Sequence, residues 1–138
     1  MGLLKNEKQL AKFEYDFAVD GGAIGSIPLR ANVSSLAAGM VITDMYVYVE
    51  SALTSGGSAT VTLGNTDVDG FMADIFALAG SDNAVVRAGE VAGALLWDDT
   101  NDHALAYRVS SDAVLALQVG TAALTAGKLQ VYVEFFAP

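Results

Sequence analysis

A chain of 138 residues with sixteen acidic side chains against seven basic ones, net charge −9, lacks the clustered lysine and arginine that phosphate neutralisation demands, so nucleic-acid binding is excluded. Cysteine is absent, which excludes disulfides, thiolate metal sites and thiol nucleophiles. Apolar residues make up 53% and charged ones only 17%; a single domain of this size cannot bury all of that, and the surplus predicts apolar surface used in contacts between subunits.

Residues 1–11 mix Leu3, Leu4 and Leu10 with charge and predict a short N-terminal arm, followed by one β-rich domain over residues 12–138. Lys5, Lys8 and Lys12 against Glu7 alone give the first twelve residues +2, which leaves −11 on the rest: a basic arm on an acidic body. No apolar run approaches the roughly 20 residues of a membrane span, and no secretory leader is read at the start.

Phe13, Tyr15 and Phe17 alternate with Glu14 and Asp16, the period of a half-buried strand. Asp20-Gly21-Gly22 predicts a turn, and Pro28 makes the short strand over Ile24–Leu29 an edge or bulged one. Met40–Glu50 is the longest strand, with Val41, Thr43, Met45, Val47 and Val49 expected on one face and Ile42, Asp44, Tyr46, Tyr48 and Glu50 on the other. Ser58–Leu63 follows a Ser-Gly-Gly turn. Met72, Ile75, Phe76 and Ala79 fit one helical face, so a short helix is expected near Phe71–Leu78. Residues 80–94 read as a surface excursion with a marginal strand at Val85-Val86. His103–Val109, Val114–Val119 and Leu129–Phe136 complete the strands, the last with Leu129, Val131, Val133 and Phe135 facing one way. The tetrad Val-Tyr-Val-Glu occurs at 47–50 and again at 131–134, and is read as two similar hairpin or edge elements. The pattern predicts an all-β fold: a jelly-roll-like β-sandwich with a short N-terminal arm and at most one short helix, a closed barrel being the main competitor.

Chemistry is sparse. Asp98, Asp99, Asn101, Asp102 and His103 form the densest polar cluster; they could supply oxygens to Ca²⁺, but they lack the spacing, glycine and distal glutamate of an EF-hand, and a solvated Asx-rich turn accounts for them better. Asp67, Asp69 and Asp74 are read the same way. His103 is the sole histidine and no Gly-x-Ser-x-Gly occurs, so neither a serine nucleophile elbow nor a general base with a marked partner is found. No catalytic, cofactor or metal residue is assigned, and the chain is read as not an enzyme.

Three segments carry a family likeness. Tyr15–Gly25 resembles the opening of a group of small tailed-phage virion proteins, Leu53–Gly64 resembles their second signature, and Ala122–Tyr132 resembles their closing hairpin. The resemblance implies a capsid decoration (cement) protein on the outer surface of the virion, a homotrimer that clamps neighbouring subunits of the major capsid protein, with no nucleic acid, membrane or cofactor involved. Leu3, Leu4, Lys5, Lys8, Leu10 and Lys12 are the expected capsid or subunit contacts. The alternative is a carbohydrate- or ligand-binding jelly-roll module, head-fibre or tail-associated and calcium-assisted, with Trp97 and the acids of 98–103 as its site.

Overall fold

Alternation becomes pleat from Lys8 onward: Ala11, Phe13 and Tyr15 turn inward while Leu10, Lys12 and Glu14 turn outward. The computed structural model describes residues 8–137 except 32–35, 66, 68, 92, 94, 99 and 102. In chain order the elements are β1 (Lys8–Asp16), α1 (Phe17–Asp20), β2 (Gly25–Pro28), β3 (Arg30–Ala31), β4 (Val41–Ser55), β5 (Thr60–Gly64), β6 (Val85–Arg87), α2 (Ala88–Val91), β7 (Trp97–Asp98), β8 (His103–Ala104), β9 (Tyr107–Arg108), β10 (Ala116–Gly120) and β11 (Leu124–Phe136).

The large sheet has the order β3-β1-β11-β4-β6, with β9 beside the start of β4, and every pairing in it is antiparallel. The small sheet is β2-β10-β5, with β2 at its edge, where Pro28 costs no ladder hydrogen bond. Phe13, Tyr15, Ile42, Met45, Val47, Leu129 and Val131 from the large sheet share one core with Val61, Leu63, Leu117 and Val119 from the small one. The fold is the expected all-β sandwich.

Several local expectations differ from what forms. The boundary expected after residue 11 falls inside β1, because Lys8–Ala11 pair with Phe136–Val133; these four residues are sheet, and Leu3, Leu4 and Lys5 lie outside the described residues. Phe17 leaves the strand: the Asp16 side chain accepts from Ala18 N at 3.0 Å and opens a single helical turn, closed by Gly21 at φ 74. Gly22 then runs so close to Leu124 that a Cβ would collide with the Leu124 carbonyl.

In β4 the alternation slips. Glu134 pairs with Asp44 but Phe135 pairs with Ile42, so Thr43 is the extra residue of a β-bulge. Ile42 is thereby buried with Met45, Val47 and Val49, whereas Val41 and Thr43, expected on the same face as those three, are only partly buried. The segment expected as a helix is extended backbone and a turn. Phe71 N and Met72 N both donate to Leu63 O, Ile75 N donates to Val61 O at 2.8 Å, and the Asp74 carboxylate accepts from Val61 N and Phe76 N. Phe71, Met72, Ile75 and Ala79 are nonetheless fully buried; they cap the edge of β5 rather than lining a helix. The strand expected over His103–Val109 divides into β8, paired with β7, and β9, paired with β4. The two Val-Tyr-Val-Glu tetrads are neither hairpin ends nor edges: they lie in the adjacent inner strands β4 and β11 and meet at one pair, Val47 opposite Val131, from which they run in opposite directions.

Candidate interaction surface

The outward face of the large sheet gathers the chain's positive charge. Lys8 and Lys12 point outward from β1, Arg30 from β3, Arg87 from β6 and Lys128 from β11. Tyr107 packs on the core, so its neighbour Arg108 turns to the same outward side, in register with Val41. With Lys5 outside the described residues, these are all the described lysines and arginines. Six carboxylates accompany them: Glu14, Asp16, Asp44, Glu50 and Glu134 on the strands, and Asp20 at the end of α1. Six against six leaves this face neutral, so the whole net charge of −9 belongs to the remainder of the chain.

The charges are paired along the sheet. Lys8 Nζ reaches Glu134 Oε1 at 3.2 Å, Arg87 reaches Asp44 at 3.0 Å, Lys128 reaches Glu50 at 2.9 Å, and Arg30 bridges Asp20 at 3.0 Å and Glu14 at 3.9 Å. Aromatic rings lie between them. Tyr46 stands opposite Tyr132 across β4 and β11. The Tyr46 hydroxyl donates to Glu134 Oε2 at 3.1 Å, Tyr48 to Asn83 Oδ1 at 2.8 Å and Tyr132 to Gln130 Oε1 at 3.2 Å. The Arg87 guanidinium lies 5.4 Å from the Tyr46 ring centre, and the Lys8 ammonium 5.8 Å from that of Phe136.

This network sets the titration of its members. The Lys8 ammonium, helped by the Thr43 and Tyr46 hydroxyls, holds Glu134 below the usual glutamate range against its partial burial. Burial, and then the bond to Glu134, push Tyr46 up. Burial raises Asp20, but the Arg30 guanidinium and the Asp16 N–H outweigh it and the carboxyl ends lowered. Exposed pairs of this kind contribute little each to stability, roughly 0–1 kcal/mol; their effect here is to fix side-chain positions.

Of the expected contact residues, the structure brings Lys8, Leu10 and Lys12 into one outward row of β1. The partners that complete the face, Arg30, Arg87, Arg108 and Lys128, come from four other strands. Each of these cations neighbours a residue of the inward phase, which marks it as outward, but only the strand order brings them to one face.

The other candidates are turns. Asp98 Oδ1 accepts from Thr100 N at 2.9 Å and Asn101 N at 3.1 Å, and Oδ2 accepts from Asn101 Nδ2 at 2.8 Å, an Asx-type closure of the β7–β8 hairpin; Asp99 and Asp102 lie outside the described residues. Asp67 is pushed up by its hydrogen bond to Asp69, while Asp74 is occupied by the backbone of β5 and the following turn. Among the described residues no three His, Cys, Asp or Glu side chains form a metal-binding group. A shallow recess of about 490 Å³, lined by Pro28, Ala113, Val114 and Ala116 among others, lies over the small sheet.

The same arrangement of strands is found elsewhere. A chain in the acidic stable capsid structure of Helicobacter pylori bacteriophage KHP30 superposes with a TM-score of 0.59 at 18% identity, over 95% of this chain and 88% of that one. This is a fold that occurs in phage capsids. A chain in the cyanophage Pam1 capsid asymmetric unit gives a TM-score of 0.63 at 12% identity, over 96% of this chain and 86% of that one. At such identities the likeness is one of fold. No family model matches the sequence and no curated protein does.

Proposed function

We propose that this chain is a structural protein of a phage virion, not an enzyme, and specifically a decoration (cement) protein that sits on the outer capsid surface as a homotrimer and bridges neighbouring copies of the major capsid protein. The observation that carries the reading is the fold itself: nearly the whole chain matches nearly the whole of chains in two phage capsid structures, so the likeness spans a complete domain rather than a shared hairpin. The paired, aromatic-rich outward sheet face supports it, since an interface protein needs a prepared surface rather than a catalytic cleft. A protein that binds only the assembled shell stabilises it by mass action. Co-sedimentation with undecorated shells of the same phage tests this. Binding that raises the temperature of shell disruption is expected; a protein that stays in the supernatant overturns the reading.

A further inference from the structure

We infer that the outward face of the large sheet is the surface through which copies of this chain pack against one another. The inference deepens the homotrimer reading above and rests on that part of it. Charge is the first argument. Each copy carries −9 and this face carries none of it. Two copies meeting through their loops bring acid to acid, whereas this face presents a cation beside every carboxylate cluster and meets an acidic neighbour without net repulsion.

Composition is the second. Arg30, Arg87 and Arg108 stand with Tyr46, Tyr48 and Tyr132, the residue types that interfaces concentrate. The tyrosine hydroxyls are already tied to Glu134, Asn83 and Gln130, and Arg87 already lies over Tyr46, so association immobilises little that is not already fixed.

The third argument is the placement of apolar side chains. Leu10 is 58% exposed and Val85 55% exposed. They point outward from β1 and β6, which flank β11 and β4 in the large sheet; the two strands are about 14 Å apart at the usual spacing, and the side chains are also offset along them, Leu10 in register with Asp44 and Val85 with Tyr48. In a closed ring the contact is heterologous, one border of the face meeting the other border of the next copy. Leu10 of one copy then meets Val85 of its neighbour, and the aromatic row lies between them.

The test is the solution mass of the full chain by light scattering after size exclusion, for the wild type and for Leu10→Asp, Val85→Asp and Val114→Asp, the last on the recess over the small sheet. All three positions are exposed, and circular dichroism checks that each variant is folded. The wild type and Val114→Asp are expected as oligomers, and Leu10→Asp and Val85→Asp as the single 14.3 kDa chain. Oligomers that survive both face substitutions, or that dissociate only with Val114→Asp, overturn the inference. A wild-type monomer that still co-sediments with shells overturns it and leaves the virion role standing. So do face variants that stay oligomeric but no longer sediment, which would assign the face to the shell. A wild type that neither oligomerises nor sediments removes both.

Discussion

The Tyr15 hydroxyl donates to the Gly21 carbonyl at 2.6 Å, tying the end of β1 to the turn six residues on. The ring is fully buried among the core side chains, and the bond fixes the path by which the chain leaves the large sheet for the small one. Tyr15→Phe should keep the fold and lose about 1 kcal/mol, the net worth of one hydrogen bond. Burial, then Asp20 and Asp16, push the phenol up from 10.0 to about 12. The folded state therefore holds the proton more tightly than the unfolded one. The stabilisation is fully present below the ordinary tyrosine value and is lost as pH rises towards about 12. Denaturant midpoints of wild type and Tyr15→Phe should differ by a constant amount at neutral pH and converge in strong base; a gap that widens with pH would contradict this.

Glu134 gives the opposite linkage. Its carboxyl is held below the ordinary glutamate value of 4.5 by Lys8, Thr43 and Tyr46, so the unfolded state binds the proton first as pH falls. The contribution is present above the ordinary glutamate value and disappears as pH drops through the lowered folded one. Glu134→Gln should be less stable than wild type at neutral pH, and the two unfolding curves should merge in acid. Curves offset equally at both pH values would show that the difference is not electrostatic.

The bulge at Thr43 makes a sharp prediction about which face of β4 is which. Ile42 is wholly buried, whereas Thr43 bonds the Glu134 side chain at 3.0 Å. Ile42→Ala should cost about 2–5 kcal/mol as a core truncation, and Thr43→Ala roughly 1 kcal/mol for a partly exposed hydrogen bond. Strict alternation from Met45 would reverse that order, and thermal denaturation of the two variants decides between them.

That bulge also marks how far the sequence could be read. Where alternation was uninterrupted, as in Leu129 to Phe135, the inward residues were legible one by one, since a strand with one buried face has only two phases. The bulge was not legible, because an extra residue leaves the composition of the strand unchanged and is set by the pairing with β11. The segment around Met72 and Ile75 failed for a related reason. Spacings of three and four fit a helix, but an extended cap over the β5 edge buries the same residues, and periodicity cannot separate the two over so short a run. On the outward face of the large sheet, Lys8, Leu10 and Lys12 were legible only as part of a basic arm; the convergence of Arg30, Arg87 and Lys128 on them is a product of strand order, which no local pattern encodes.

The carboxylate-rich hairpin invites a calcium experiment. Both Asp98 oxygens are engaged, Oδ1 with the Thr100 and Asn101 N–H groups and Oδ2 with the Asn101 amide, which leaves a turn that closes itself. A chelator should leave Tm unchanged, and Asp98→Ala should lower stability by about 1 kcal/mol through loss of the turn bonds. A fall of several degrees on chelation, restored by calcium, would instead establish a cation in that hairpin and favour the ligand-binding alternative.

Val131 and Gln130 are adjacent in β11 and face opposite ways. Val131 is completely buried opposite Val47, while Gln130 lies outward opposite Tyr48. Val131→Asp places a charge in the shared core of both sheets with no lysine or arginine among the described residues on that side, a burden of several kcal/mol against a total stability of roughly 5–15 kcal/mol; soluble folded protein should not be recovered. Val131→Ala should fold cooperatively but be weaker by about 2 kcal/mol. Gln130→Asp, on the face where carboxylates are already paired, should stay within about 0.5 kcal/mol of wild type. A Val131→Asp protein with a normal Tm, together with a damaged Gln130→Asp, would mean that the inward and outward sets of β11 are interchanged, and the proposed interaction face with them.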